Sequence, residues 1–396
     1  MKTIGGTQIG LIGTGWTARH FLMSLDRQPG LVASRVLTRR RVDEVRDFPR
    51  PDLLTNSLSE VIDHADVIVE CSGDPIHATD VVDAAFAAGL PVVTMNAEFH
   101  ITAGSRFVGR GLLTEASGDQ PGVLAVLARE ARSYGFEPLV YGNMKGFLNR
   151  NPSLEDMTFW GRKSWISLPM VTSFTDGTKV QVEQALVANG LGADIVRQGL
   201  LGPTEDVIQA GADQLCREAE RLGRPIADYI LSPKLSHGVF VAGRHDDRQR
   251  DALRYLKLGE GPYYVVLRHN IYVFLEIANS IRDLLDEGRI LLDNGRRPVA
   301  SVATVAKRTL EPGERIGAGI GSVAVRGEAV RIAEAPGHLP IGLLADAVVR
   351  RRVPAGAMLA MDDVEMPDDS LAHRAWREIE ADCLSAVVPR AAAAAG

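Results

Sequence analysis

One hexapeptide near the amino terminus constrains this chain more than any other feature. Gly13-Thr14-Gly15-Trp16-Thr17-Ala18 follows a short apolar run, Gln8–Gly13, and opens a stretch with helical spacing, Ala18–Asp26. This is the G-x-G-x-x-A pattern of a strand–turn–helix unit that holds a pyrophosphate. The first glycine permits the tight turn, the second lets main chain approach the anion, and Ala18 allows close helix–strand packing. The anion would meet free N–H groups and the positive end of the helix dipole. A glycine-rich turn with no ligand would carry the same letters, so the surrounding pattern matters.

That pattern is an alternation. Leu31–Leu37, Leu53–Leu54, Asp66–Cys71 and Pro91–Met95 read as strands, with helices at Leu58–His64 and Ile76–Ala88 between them. Continuous Val/Ile/Leu runs mark parallel strands covered on both faces. The expected class is therefore α/β, with a doubly wound parallel sheet of the Rossmann type over residues 1–135. From Glu137 the period loosens. Leu139–Tyr141 and Tyr263–Leu267 are strand-like, and Val182–Asn189, Thr204–Leu222 and Ile271–Gly288 are helical, which predicts an α+β catalytic domain over 136–297. Short β-like runs with Pro-Gly turns predict a small β-rich domain over 298–367, in which Lys307–Ile316 and Arg351–Leu359 echo each other. Residues 368–396 hold one amphipathic helix near Ser370–Ala386 and an alanine run, Ala391–Ala395, expected to fray.

Composition narrows the partners. A net charge of −6, from 44 basic and 50 acidic residues, argues against nucleic acid. No uncharged apolar run reaches the roughly 18 residues of a membrane helix, and the start of the chain lacks a signal-peptide pattern. Cys71, Cys216 and Cys383 lie too far apart for a disulfide framework or zinc cluster, which suits a reducing cytoplasm. A cytoplasmic protein acting on a small molecule is expected.

Cofactor choice turns on the end of the second strand. An acid there would bind a ribose 2′-hydroxyl, but this chain has Thr38-Arg39-Arg40-Arg41 and no acid until Asp43. Guanidinium groups in that place favour a 2′-phosphate, hence NADP(H) over NAD(H), although arginines on a solvated loop would look alike. Ser72-Gly73-Asp74-Pro75 and Asn96-Ala97-Glu98 end later strands, where an open α/β sheet binds its ligand. The expected cofactor contacts are Gly13, Thr14, Gly15, Trp16, Thr17, Thr38, Arg39, Arg40, Ser72, Gly73 and Asn96.

GDQPG (118–122), GNMKG (142–146), MVTSFTDG (170–177), VEQALVANG (182–190) and GPYY (261–264) have no generic structural explanation. With ATVAKRTLEPGE (303–314), LPIGL (339–343) and RVPAGAMLAMDDVE (352–365), they resemble a bacterial oxidoreductase family. That family joins a homoserine-dehydrogenase-like NAD(P)-binding domain, a catalytic domain and a C-terminal SAF domain, and includes 1-deoxy-D-xylulose 5-phosphate reductoisomerase-like proteins. The resemblance extends to about Pro367. It departs after GPYY, where Leu267-Arg268-His269-Asn270-Ile271-Tyr272 replaces a His-Pro-Tyr-His-Leu-like segment. It implies an NADPH-dependent enzyme acting on a small, polar, anionic hydroxy-carbonyl compound, in its specific form reductoisomerisation of 1-deoxyxylulose 5-phosphate to methylerythritol 4-phosphate. A plain dehydrogenase of a polyol, hydroxy acid or semialdehyde, and a non-catalytic NADP-binding sensor, are the alternatives. A homodimer is expected of such chains.

Carbonyl reduction needs positive charge or a proton at the developing alkoxide. Lys145, read as lying in a turn after a strand, and Lys179 are the candidates, either as proton donor or as clamp. Glu98 and Asp176 are the acidic candidates, and could hold Mg²⁺ or Mn²⁺ for a rearranging substrate. Both have simpler readings, Glu98 as a helix cap and Asp176 as a turn residue. Asp119 and Gln120 could line the crevice or cap the helix that Pro121 opens. The histidines, His100 and His269 included, read as structural. Trp160 and Trp165 read as packing residues or as a flap beside Arg162 and Lys163. Hydrolase and kinase motifs are absent from the sequence.

Overall fold

A computed structural model of the chain describes residues 6–45, 47–367 and 369–385; the alanine run expected to fray lies outside them. Six parallel strands form the first sheet: β1 (Thr7–Ile12), β2 (Leu31–Leu37), β3 (Leu54–Thr55), β4 (Val67–Glu70), β5 (Val92–Thr94) and β6 (Leu113–Glu115). Their order is β3-β2-β1-β4-β5-β6, so the winding reverses between β1 and β4 and leaves a crevice at their carboxyl ends. Helices α1 (Trp16–Ser24), α2 (Leu58–Asp63), α3 (Pro75–Ala87) and α4 (Ala97–Thr102) follow β1, β3, β4 and β5. The strands read as unbroken apolar runs because both faces are covered. Ile9, Leu11, Val67 and Val69 pack with Phe21 of α1, while Ile12 and Ile68 pack with Val81 and Ala85 of α3.

The second sheet is mixed. Its strands β7 (Glu137–Lys145), β8 (Ile226–Leu231), β9 (Gly238–Arg244) and β10 (Tyr264–Arg268) lie in the order β10-β9-β7-β8, with β7 and β8 parallel. Helices α5 (Gln120–Ser133) and α8 (Thr178–Leu191) pack against it, as does α9 (Ile208–Leu222), which buries Ala212, Leu215, Cys216 and Ala219 along one stripe. Between β7 and α8 stand α6 (Leu154–Ser164) and α7 (Leu168–Thr175); α10 (Arg250–Tyr255) precedes β10, and α11 (Ile277–Glu287) follows it.

The remaining chain is β-rich. Strands β11 (Ala300–Ala306) and β13 (Val325–Arg331) pair antiparallel, and β12 (Arg315–Ala318), β14 (Ala345–Val349) and β15 (Val364–Glu365) form a three-stranded sheet. The echoed segments meet: Leu310 and Val353 exchange N–H···O bonds of 2.9 and 3.0 Å. Helix α12 (Leu371–Ser385) returns to α3, its Trp376 buried edge-on to His338. No described helix is long and apolar enough to cross a membrane.

Three local expectations need correction. GNMKG is not a turn, because β7 runs through to Lys145; Gly142 is there because a Cβ would fall 2.0 Å from the Phe240 ring on the adjacent strand. The long helix expected from Ile271 begins at Ile277, because Val273 takes a positive φ of 48° and the Glu276 carboxylate captures the Tyr272 N–H at 3.1 Å. Helix α9 begins at Ile208 and not Thr204, since Thr204 and Glu205 pair with the Leu231 backbone instead. The two large units also trade helices. Ile277, Ala278, Ile281 and Leu284 of α11 join the core of the first sheet, whereas α5 packs on β7 and β9 of the second.

Helix α8 meets all three units, reaching α4 of the first as well as the second sheet and the β-rich strands. The second sheet covers part of it, and β11 and β13 cover another. Gly327 N–H donates to Thr178 Oγ1 at 2.9 Å and Ala329 N–H to Gln181 Oε1 at 2.8 Å. Just before α8, Asp176 makes a 2.6 Å ion pair with Lys307 of the β-rich unit, both side chains out of solvent. Removing one member of a buried pair strands the other charge, at about 3–5 kcal/mol. Asp176→Ala is therefore expected to lower unfolding stability by about that much, and Asp176→Ala with Lys307→Met by clearly less, measured by urea denaturation.

Candidate active site at the carboxyl edge of the first sheet

The glycine turn is built as a dinucleotide turn requires. Gly13 has φ +102°, and a Cβ there would sit 2.9 Å from the Cys71 carbonyl oxygen, so β1 and β4 close together only over glycine. Gly15 is the opposite case: a Cβ on it would meet nothing within 4 Å. It opens onto free space at the start of α1, whose first turn has no side-chain cap and no acid. Unpaired N–H groups there suit a pyrophosphate. Beside them Trp16, His20 and Phe274 form an aromatic cluster, with Trp16 edge-on to Phe274 at 5.4 Å. The segment Leu267–Tyr272 therefore leads into a side chain at this turn.

The arginines after β2 are engaged but near the surface. Arg39 pairs with Asp74 at 2.6 Å, Arg40 donates to Thr14 Oγ1 at 3.0 Å, and Arg41 pairs with Asp43. Thr14 and Thr38 hydroxyls lie 3.4 Å apart. A cavity of about 330 Å³ is lined by Thr38, Arg39, Arg41, Asn56 and His77. Ser72 accepts from the Asp74 N–H at 3.2 Å, and its own N–H donates to Glu70 at 2.7 Å; Gly73 is open. Asn96 is buried and caps α4 through Phe99 N–H. Thr17 lies in the first turn of α1.

The second half of the site is a set of buried charges. Lys179, in the first turn of α8, pairs with Glu98 of α4 at 3.2 Å and with Asp119, just before α5, at 3.6 Å. One turn on, Glu183 occupies the same face of α8 and meets Lys145 at 3.4 Å. Lys145 and Asn143 share one face of β7; Asn143 Nδ2 donates to Glu183 at 2.9 Å and also to Gln120, and Lys145 donates to Gln120 at 3.3 Å. Burial disfavours the charged Lys179, yet Asp119, Glu98 and Glu183 outweigh it and hold its pKa above the ordinary lysine value. Burial pushes the Glu183 carboxyl up against the pull of Lys145 and Lys179.

The structure thus joins Lys145, Lys179 and Glu98 in one cluster with Asp119 and Gln120, and leaves Asp176 out, committed to Lys307. Glu98 and Asp176 go to different lysines, and among the described residues no three His, Cys, Asp or Glu side chains are placed to hold a metal ion. His269 bonds Ser236 away from the cluster, while His100 is fully buried beside Glu115. Trp165 is 88% exposed, which rules out a packing role; Trp160 carries Lys163 over its ring at 4.6 Å. Sequence reasoning missed Glu70, Glu115, Asn143 and Glu183. Glu183 had a signal, since it lies four residues after Lys179.

Residues 118–277 match the family model described as oxidoreductase DRL, catalytic domain, a span that contains both lysines, Asp119, Glu183 and Phe274. No curated protein matches the chain. Solved structures with a similar course include UDP-N-acetylglucosamine 3-dehydrogenase GnnA from Acidithiobacillus ferrooxidans, at 11% identity and TM-score 0.42 over 73% of this chain and 92% of that one. An oxidoreductase from Thermotoga maritima reaches 13% and 0.40 over 73% and 91%, and GenD2 of gentamicin A biosynthesis, solved with NAD, 12% and 0.39 over 72% and 88%. The chain is an oxidoreductase by its matched catalytic domain. Its Rossmann sheet and open glycine turn fit a nicotinamide dinucleotide.

The two glycines separate folding from binding. Gly15→Ala is expected to leave the melting temperature unchanged and weaken binding of a reduced nicotinamide dinucleotide roughly tenfold, about 1.4 kcal/mol. Gly13→Ala is expected to cost about 1–3 kcal/mol of stability through its backbone strain. Thermal unfolding and fluorescence titration check both.

Proposed function

We propose that the protein is an NADPH-dependent reductase of a small, polar, anionic hydroxy-carbonyl compound. The observation that carries this is the meeting of Lys145 and Lys179, from different elements, in one charged cluster at the carboxyl edge of a dinucleotide-binding sheet. When bound, the dinucleotide supplies or takes the hydride. Lys179, kept charged by Glu98 and Asp119, gives its proton to the carbonyl oxygen as that oxygen becomes an alkoxide. Lys145, oriented by Gln120 and Glu183, holds the same oxygen or its hydroxyl neighbour. Arg40, on Thr14, and Arg39, once released from Asp74, support the choice of a 2′-phosphate.

Direct reduction is the form this geometry favours. Reductoisomerisation of 1-deoxyxylulose 5-phosphate would use carboxylates to chelate a cation across two substrate oxygens, and Glu98 and Asp176 do not share a site. No step here runs through a cation. The sensor alternative gains weight only if the two lysines point away from the crevice, and their meeting in one cluster supports the reductase reading over it.

Lys145→Met is expected to cut kcat by two orders of magnitude or more while NADPH affinity stays within about twofold, measured by NADPH oxidation with a panel of phosphorylated sugars, hydroxy-keto acids and semialdehydes. Unchanged turnover would remove Lys145 from the mechanism. NADPH should bind more tightly than NADH, and Arg40→Ala should reduce that preference; tighter NADH binding by the unaltered protein would contradict the cofactor reading.

A further inference from the structure

Behind Lys179 lies a buried group that the reduction step does not use. Glu115 ends β6, and its side chain is wholly excluded from solvent. Its Oε2 is 3.4 Å from His100 Nε2 of α4, an equally buried ring. On its other side it lies within hydrogen-bond reach of Asp119, whose Oδ2 is 3.6 Å from the Lys179 ammonium. Neither Glu115 oxygen nor Asp119 Oδ2 receives a hydrogen bond from any described donor. Two neighbouring carboxyl groups whose oxygens accept no hydrogen bond elsewhere are satisfied together when one carries a proton and donates it to the other.

We infer that Glu115, Asp119 and Lys179 form a proton relay in which Glu115 stores the proton, Asp119 bridges it and His100 positions the store. The inference rests on the reductase reading given above. In reduction, the Lys179 N–H bond breaks as the substrate O–H bond forms. The Glu115 O–H bond then breaks as its proton passes to the Asp119 carboxylate, and the Asp119 O–H bond so formed breaks in turn as the neutral amine takes that proton. Glu115 is left as a carboxylate and is refilled from water by the same path, since Asp119 retains some exposure. Oxidation of the alcohol runs each transfer backwards.

The surroundings fit these roles. Burial raises the Glu115 pKa well above the usual carboxyl range, and Asp119 and Glu98 add to it against Lys179, which favours the protonated store. Burial pushes His100 down to about 3, so the ring is neutral and orients the carboxyl without holding the mobile proton. Other ionisable groups near the chain of transfers include Glu98 and Glu183, which face Lys179, Lys145 on Glu183, and Cys71 beside Glu70, whose thiol burial raises well above its ordinary value.

Infrared difference spectroscopy on the full-length protein locates the proton without a substrate. The wild type should show the carbonyl stretch of a protonated carboxyl group at neutral pH. That band should vanish in Glu115→Gln and move to higher frequency in Asp119→Asn, which removes its ionic acceptor. Glu115→Gln keeps the shape and a donor toward Asp119, so NADPH affinity and KM should hold. With the carbonyl compound that supports NADPH oxidation, kcat should fall roughly a hundredfold and the solvent deuterium isotope effect should rise. A missing infrared band overturns the relay, and so does a Glu115→Gln variant with unaltered kcat and isotope effect. Failure of the wild type to oxidise NADPH with any carbonyl compound sinks the reductase reading instead, a result distinct from loss of the band.

Discussion

The site depends on the balance between two buried ammonium groups and the carboxylates around them. Lys179 could not remain charged out of water alone, since removing an ion from solvent costs several kcal/mol even after relaxation. Glu98, Asp119 and Glu183 make the charge tolerable. Each acid arrives on a different element: Glu98 after β5, Asp119 before α5, Glu183 on α8. The cluster is complete only when both sheets are folded against each other. The same contacts that neutralise the lysines therefore fix the relative placement of the dinucleotide turn and the residues that would face the substrate.

Helix α8 transmits that placement. It carries Lys179 and Glu183 one turn apart, and the β-rich unit is hydrogen-bonded to it through Thr178 and Gln181. The Asp176–Lys307 pair pins its start. On this view the C-terminal strands support a lysine they do not touch. The exchange of α5 and α11 between the two sheets serves the same end. The chain crosses the crevice at Ser117 and again at Glu276, and those two side chains are joined by a 2.8 Å hydrogen bond.

Much of this was legible in the letters. The winding of the first sheet followed from its apolar runs, and the glycine turn from six residues. Lys145, Lys179, Glu98 and Asp119 were all singled out, though without knowing that they meet. Convergence of residues from α4, β6, β7 and α8 is a property of packing, which periodicity does not encode. Gly142 misled for a related reason: a glycine set by a ring on the next strand looks in sequence like one set by a turn. Glu70 was hidden inside the run Asp66–Cys71, read only as a strand, and Glu115 in Leu113–Glu115, whose Leu-Thr-Glu sequence shows no apolar run. Asp176 was singled out for chemistry and proved to be half of an inter-unit ion pair, a role that needed Lys307 to be visible beside it.

The most direct test is a crystal structure of the protein with NADP⁺ bound. The account predicts the pyrophosphate over Gly15 at the start of α1, the 2′-phosphate beside Arg39 and Arg40, and the nicotinamide ring in the crevice facing Lys145 and Lys179. A dinucleotide bound with its ring turned away from both lysines, or a crevice that side chains close against it, would contradict the account.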